Sequence, residues 1–148
     1  MIDFSKCKIS FVALAPPNDV LTHFFQAPSD TPEAIFLKQI VTYRPHPAMQ
    51  AVWVKFELNG KNIGLATLYL PPQQAPLEAP VFIGNFVIDK EWRRHRLGHF
   101  LLKNLSDYCK TRRRSRLTLQ FSAHSLRFWQ ANGFERSIAF PKLLFKTI

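Results

Sequence analysis

Cysteine is scarce in this chain, with only Cys7 and Cys109 among 148 residues. They are far apart and neither has a CxxC partner or a histidine at ligand spacing, so the sequence supports neither a disulfide framework nor a zinc site. Both are expected to be reduced and structural. Long apolar runs are missing as well. No stretch approaches the roughly 20 apolar residues that cross a bilayer, and the opening MIDFSKCKIS has no apolar signal-peptide core, so a cytoplasmic protein without membrane contact is expected. Internal repeats and low-complexity tracts are absent. A content of 47% hydrophobic and 14% aromatic residues then suits one globular domain spanning residues 1–148.

Acid is the other shortage. Ten Asp and Glu face twenty Lys and Arg, for a net charge of +10. The imbalance is confined to one half of the chain. Residues 1–89 hold six bases and seven acids, whereas residues 90–148 hold fourteen bases and three acids, a local excess of +11. A field of that sign attracts polyanions, either nucleic acid or a phosphorylated ligand, and also serves solubility.

What is present reads as alternating elements. KISFVALAP reads as a strand, followed by two helices, Asn18 to Gln26 and Thr31 to Tyr43. The second has Thr31 as its N-cap, Pro32 at the first helical position and Pro45 as its stop. AVWVKFEL and NIGLATLYL flank Asn59-Gly60, a pair that tolerates positive φ at both positions and so predicts an antiparallel hairpin. The proline-rich PPQQAPLEAP is a connection within the domain. VFIGNFVID is a further strand. Beyond it Leu97, Leu101, Leu102, Leu105 and Tyr108 share one helical face. RLTLQFS reads as a strand, and AHSLRFWQA as a short helix with Ser122 as N-cap and Asn132-Gly133 at its end. The tail SIAFPKLLFKTI supplies one or two strands interrupted at Pro141. The order is strand, two helices, three strands, helix, strand, helix, strands, a mixed α+β pattern with a parallel pair where a helix crosses over.

One feature of this order runs against local electrostatics. Lys90, Arg93, Arg94 and Arg96 crowd the start of the long helix. Helix N-termini favour anions, so each cation opposes the dipole by about 0.3–1 kcal/mol unless an anion binds there. A solvated helix start and an anion site both fit these residues. RRRSR at Arg112 to Arg116 follows the last turn of the same helix, where cations suit the dipole; phosphate or nucleic-acid contact is its alternative use. None of the five histidines has metal spacing. His95 and His99 read as exposed helix residues, His124 as a polar group near a cap, and His23 and His46 as surface positions.

VIDKEWRRHRLGHFLL resembles the cofactor-binding segment of the GNAT superfamily of N-acetyltransferases, in which a strand leads into R/Q-x-x-G-x-G/A at a helix start. SAHSLRFWQANGFE resembles that family's later segment, where an Asn precedes a helix with an aromatic pair closing in Gly-Phe. The resemblance implies a central twisted, mostly antiparallel sheet with a parallel pair splayed around a coenzyme A site, flanked by about four helices. It implies acetyl-CoA, or another acyl-CoA, as co-substrate, no metal, and an unspecified primary amine as acceptor. A homodimer is compatible with it. Carried over by residue, the strand segment Phe86, Val87 and Ile88 pairs with the pantetheine arm. Arg93, Arg94, His95, Arg96, Leu97, Gly98 and His99 form the phosphate loop. Gly98 falls on the second glycine of the motif and is alternatively a packing glycine. Arg96 replaces the first, so its side chain is expected to fold away from the ligand.

Ser122 takes the place of the family's Asn, with Ser125, Phe128 and Trp129 on the helix that follows. Trp129 stands where many members carry a Tyr thought to protonate the departing thiolate. Indole donates a hydrogen bond but is no usable acid. Either the thiolate then leaves without an enzymic acid, or Ser125, Tyr108 or an ordered water supplies the proton; Asp89 is the carboxylate available as base beside Asn85. Two function classes follow, an acyltransferase acting by direct attack, and a catalytically weak acyl-CoA-binding regulator or basic nucleic-acid binder on the same scaffold.

Overall fold

A computed structural model describes residues 2–148. Seven strands make one sheet: β1 (Cys7–Val12), β2 (Gln50–Leu58), β3 (Lys61–Leu70), β4 (Val81–Ile88), β5 (Arg116–Gln120), β6 (Glu135–Arg136) and β7 (Leu143–Thr147). Four α-helices join them: α1 (Asn18–Phe24), α2 (Glu33–Thr42), α3 (Leu97–Thr111) and α4 (Leu126–Ala131). The strand order is β1-β2-β3-β4-β5-β7-β6. Only β4 and β5 pair in parallel, because α3 carries the chain back across the sheet between them; the other neighbours are antiparallel, joined by the Asn59-Gly60 turn between β2 and β3 and by the α1/α2 segment between β1 and β2. The expected α+β architecture is the one observed.

The hairpin follows its local chemistry. Asn59 and Gly60 take φ of 50° and 80°, and β2 pairs with β3 from Gln50↔Leu70 to Leu58↔Lys61. Each face of this sheet has its own core. Val54, Phe56, Ala66 and Leu68 pack with Leu97, Leu101, Leu102 and Leu105 of α3. Trp53 and Leu65 pack with Leu21 of α1 and Leu37 of α2. Each leucine so buried contributes roughly 1.5–3 kcal/mol, which is how a helix whose first turn holds no acid is kept in place. Cys109 faces the same core, and burial pushes its thiol up to about 12; burial also raises Cys7. Both are free thiols.

Local expectations shift in five places. Helix α1 ends at Phe24, because Phe25 is extended at φ −128° on the approach to Pro28. Pro32 is the N-cap of α2 and lies outside it, while the Thr31 hydroxyl donates to Asp30 Oδ1 at 3.2 Å. Ser125, not Ser122, occupies the N-cap of α4; the Ser122 carbonyl accepts the N–H groups of Ser125 and Leu126 and so holds a turn ahead of the helix. The first closing strand precedes Ser137 and the second follows Pro141. The arginine run after α3 is a clamp: Arg114 is buried and donates to the carbonyls of Pro72 at 2.8 Å and Pro76 at 2.9 Å, fixing the proline-rich connection between β3 and β4.

Candidate active site

The site is made by strands that part. β4 and β5 pair only at Val81↔Leu117 and Phe82↔Thr118, so from Ile83 to Ile88 the edge of β4 facing β5 leaves its backbone groups without a strand partner. The pairing of β4 with β3 shifts by one residue between Leu65↔Val87 and Thr67↔Gly84. The extra residue lies in β4, where Asn85 adopts φ 50° and its Nδ2 donates to Thr67 Oγ1 at 3.0 Å. Bulges re-aim a strand. This one puts Phe86 and Ile88 against the α3 core and Val87 against the α1/α2 core.

The splay opens a cleft of about 1050 Å³. At the end of β4 a 3₁₀ turn, Lys90–Trp92, leads into a loop where Arg94 and Arg96 take left-handed φ of 68° and 62°. Arg93 before them is extended at φ −71° and ψ 160°. Helix α3 begins there with no side-chain cap, leaving first-turn N–H groups free for a ligand. Arg93, Arg94 and Arg96 are exposed at the cleft, and Arg93 Nε donates to the Ile88 carbonyl at 3.0 Å, which ties the loop to the strand end. Among the described residues the one ion pair is His23 with Asp89 at 2.7 Å. Among the described residues no Lys or Arg is paired with a carboxylate, so the cations at the helix start are exposed and unpaired by acids.

Arg96 is one of the residues that line the cleft. Its left-handed backbone costs a β-carbon-bearing residue about 1–2 kcal/mol. Glycine removes that strain while adding roughly 0.5–1 kcal/mol of unfolded-state entropy, so Arg96→Gly stabilises by roughly 0.5–1 kcal/mol net. Thermal denaturation then shows Tm higher by about 1–4 °C; a lower Tm would mean that the guanidinium makes compensating contacts.

Gly98 has a packing duty as well. A β-carbon there would lie 3.0 Å from Phe128 Cε1 and 3.2 Å from Cζ, and that ring is held by Phe86, Trp129 and His99. His99 is less exposed than expected, since its Nδ1 lies 2.8 Å from Asn132 Oδ1. The Asn132 amide meanwhile donates to the Phe128 carbonyl. Asn132 therefore ties the start of α3 to the end of α4.

Most residues expected at the site meet in this one cleft. Phe86, Val87 and Ile88 line it from β4, Leu97, Gly98 and His99 from α3, and Ser122, Ser125, Phe128 and Trp129 from the other wall. Ser122 Oγ and Ser125 Oγ are 3.1 Å apart. Trp129 is 5% exposed and packs edge-on to Phe86, Phe128 and Phe134.

Three expected residues are elsewhere. Tyr108 stacks on Phe11 at 4.0 Å, because it sits eleven residues along α3, about 16 Å from the helix start at 1.5 Å per residue. Asp89 accepts from or pairs with His23 outside the cleft, since the strand has ended and the chain turns away. His95 and the run Arg112 to Arg116 do not line the cleft either. Sequence reading missed Tyr43, Tyr69, Phe82 and Gln120, all of which do.

The chain belongs to the GNAT acetyltransferase family, whose model matches residues 11–134. By sequence alone no curated protein matches it. Its fold is that of a GNAT family acetyltransferase from Elizabethkingia anophelis with acetyl-CoA bound, at TM-score 0.64 and 15% identity over 97% of this chain and 99% of that one. An acetyltransferase from Streptococcus agalactiae superposes with TM-score 0.66 at 16% identity, covering 98% and 100% of the two chains. The ribosomal-protein-S18-alanine N-acetyltransferase of Escherichia coli gives 0.62 at 16% identity over 95% and 94%. Among the described residues no group of three or more His, Cys, Asp or Glu is arranged to hold a metal, and no helix is long and apolar enough to cross a membrane.

Proposed function

We propose that this chain transfers an acetyl group from acetyl-CoA to a primary amine by direct attack. The observation that carries the reading is that the uncapped, cation-rich start of α3 and the unpartnered edge of β4 open onto the same cleft. The residues fit the co-substrate. Free N–H groups around Arg94 to His99, with the three arginines, suit a pyrophosphate, and the β4 edge from Phe86 to Ile88 offers N–H and C=O groups to an amide-bearing arm. Bound acetyl-CoA supplies an activated thioester. As the nitrogen–carbon bond forms and the carbon–sulfur bond breaks, the amine loses one proton and the departing thiolate gains one. Backbone N–H groups of the bulged strand are the donors available to the carbonyl oxygen.

The proton traffic is thinly served. Trp129 is aromatic core, and its indole cannot protonate a thiolate. Ser122 and Ser125 are the cleft-lining hydroxyls of that segment and are weak acids, so turnover is slow. Asp89 is committed to His23, and the amine's proton leaves to solvent. The replacement of an acid by Trp129 favours a second reading, an acyl-CoA-binding regulator.

Calorimetry with acetyl-CoA and thiol release in the presence of primary amines test both. Expected are a low-micromolar to submillimolar dissociation constant and slow transfer. Trp129→Tyr should raise the rate about tenfold with binding unchanged, part of the roughly 10²–10⁴ that a well-placed acid supplies. Absence of heat and of a thermal shift at millimolar acetyl-CoA would remove the transferase reading. Binding without transfer in either protein would assign the regulator.

A further inference from the structure

The cleft is lined by residues from both faces of the sheet, and its mouth differs in chemistry between the two. On the α3/α4 side it carries the arginines and the helix start. On the α1/α2 side it carries aromatic rings. Tyr69 and Thr67 of β3 pair with Phe82 and Gly84 of β4, and these residues share that face because side chains alternate along paired strands. Tyr69 lies across Gly84, where a β-carbon would come within 2.8 Å of its Cε2. Tyr43, just beyond α2, stands edge-on to Tyr69 at 5.6 Å, and Phe82 is 6.5 Å from it.

The charge beside this mouth has one sign. The Arg44 guanidinium, which donates to the Val41 and Tyr43 carbonyls and lies just outside the lining, is 5.9 Å from the centre of the Tyr69 ring, and no Asp or Glu lines any part of the cleft. Burial raises the Tyr69 phenol above its usual range, against a smaller opposing effect of Arg44, so it adds no negative charge here. A positive environment also lowers the pKa of an incoming ammonium and favours the free amine, the form that attacks. Every additional ammonium on an acceptor would meet that same field with no carboxylate to receive it.

We infer that this mouth takes a primary amine whose amino group is its only cationic group and which is joined to an aromatic or similarly flat body, and that it excludes polyamines and amino sugars. The inference rests on the transferase reading and assigns its acceptor class. The flat body packs against Tyr43 and Phe82, over the buried Tyr69 ring that backs them, with the amino group directed toward Asn85 and the bulge.

Saturation-transfer NMR with phenethylamine, tyramine, spermidine and kanamycin tests it, on protein with and without saturating coenzyme A, alongside thiol-release kinetics. Binding of the two aromatic amines should be at least about tenfold tighter than that of spermidine or kanamycin, each tenfold step being about 1.4 kcal/mol. Tyr43 is 52% exposed, so Tyr43→Glu leaves the fold intact and places a carboxylate at the mouth; it should narrow or reverse the preference. Spermidine or kanamycin binding as tightly as tyramine to the unaltered protein overturns the inference, as does failure of both aromatic amines to bind. Because the amine titrations do not depend on turnover, failure of coenzyme A to bind is seen separately and counts against the transferase reading.

Discussion

Gly98→Pro should raise the dissociation constant for acetyl-CoA by about a hundredfold, whereas Arg94→Ala should raise it by less than about tenfold. Gly98 is the second residue of α3, so its N–H has no partner within the helix. Proline is tolerated in a first turn and the helix itself survives. The ligand loses one charge-assisted hydrogen bond, worth about 1.5–3 kcal/mol, and the new ring enters space where a β-carbon already lies 3.0 Å from Phe128. An exposed cation contributes about 0–1 kcal/mol at ordinary salt, which sets the smaller effect. Gly98→Ala separates the two causes, because it keeps the N–H and retains the crowding. Calorimetry on the three variants decides: equal losses for Ala and Pro would trace the effect to Phe128, and a larger loss for Arg94→Ala would assign phosphate binding to side-chain charge.

The parts of this site that were legible in the sequence are those with a local signal. Asn59-Gly60 encodes its turn, the leucine spacing from Leu97 encodes the buried face of α3, and the cations from Lys90 to Arg96 mark a helix start that its own electrostatics disfavour. The splay carried no such signal. It exists because β4 and β5 stop pairing after Phe82 and Thr118, and no residue in either strand announces where pairing ends. Asn85 did offer a hint, since asparagine tolerates positive φ, but whether that means a turn or a bulge depends on the register with Thr67 and Gly84. The aromatic cluster at the cleft was hidden for the same reason. Tyr43, Tyr69 and Phe82 come from three separate segments, and only the sheet register places them together. Tyr108 failed as a proton source through distance along a correctly read helix.

The arginine run shows how burial overrides a surface reading. Arg114→Met should destabilise the protein by about 3–5 kcal/mol, seen as a fall of roughly 6–20 °C in Tm. Arg114 is 6% exposed and is held by carbonyl oxygens: Nη1 donates to Pro76 at 2.9 Å and Ala75 at 3.4 Å, and Nη2 to Pro72 at 2.8 Å and Gln73 at 3.4 Å. Methionine fills much of the volume and leaves the two short bonds unmade, each orphaned carbonyl costing about 1–3 kcal/mol. Arg114→Lys should recover less than half of the loss, because an ammonium cannot span two carbonyl pairs as a planar fork does. Its neighbours should respond differently. Arg112 lies over the Tyr108 ring at 5.0 Å, a contact worth about 0.5–1 kcal/mol at an exposed site, so Arg112→Ala moves Tm by only a few degrees. Arg113 has φ 59°, and Arg113→Gly should raise Tm slightly by relieving left-handed strain. The clamp holds the connection that enters β4 immediately before Val81, the residue that pairs with Leu117 where the splay begins. An unchanged Tm in Arg114→Met would show that the proline-rich connection holds its shape without the guanidinium.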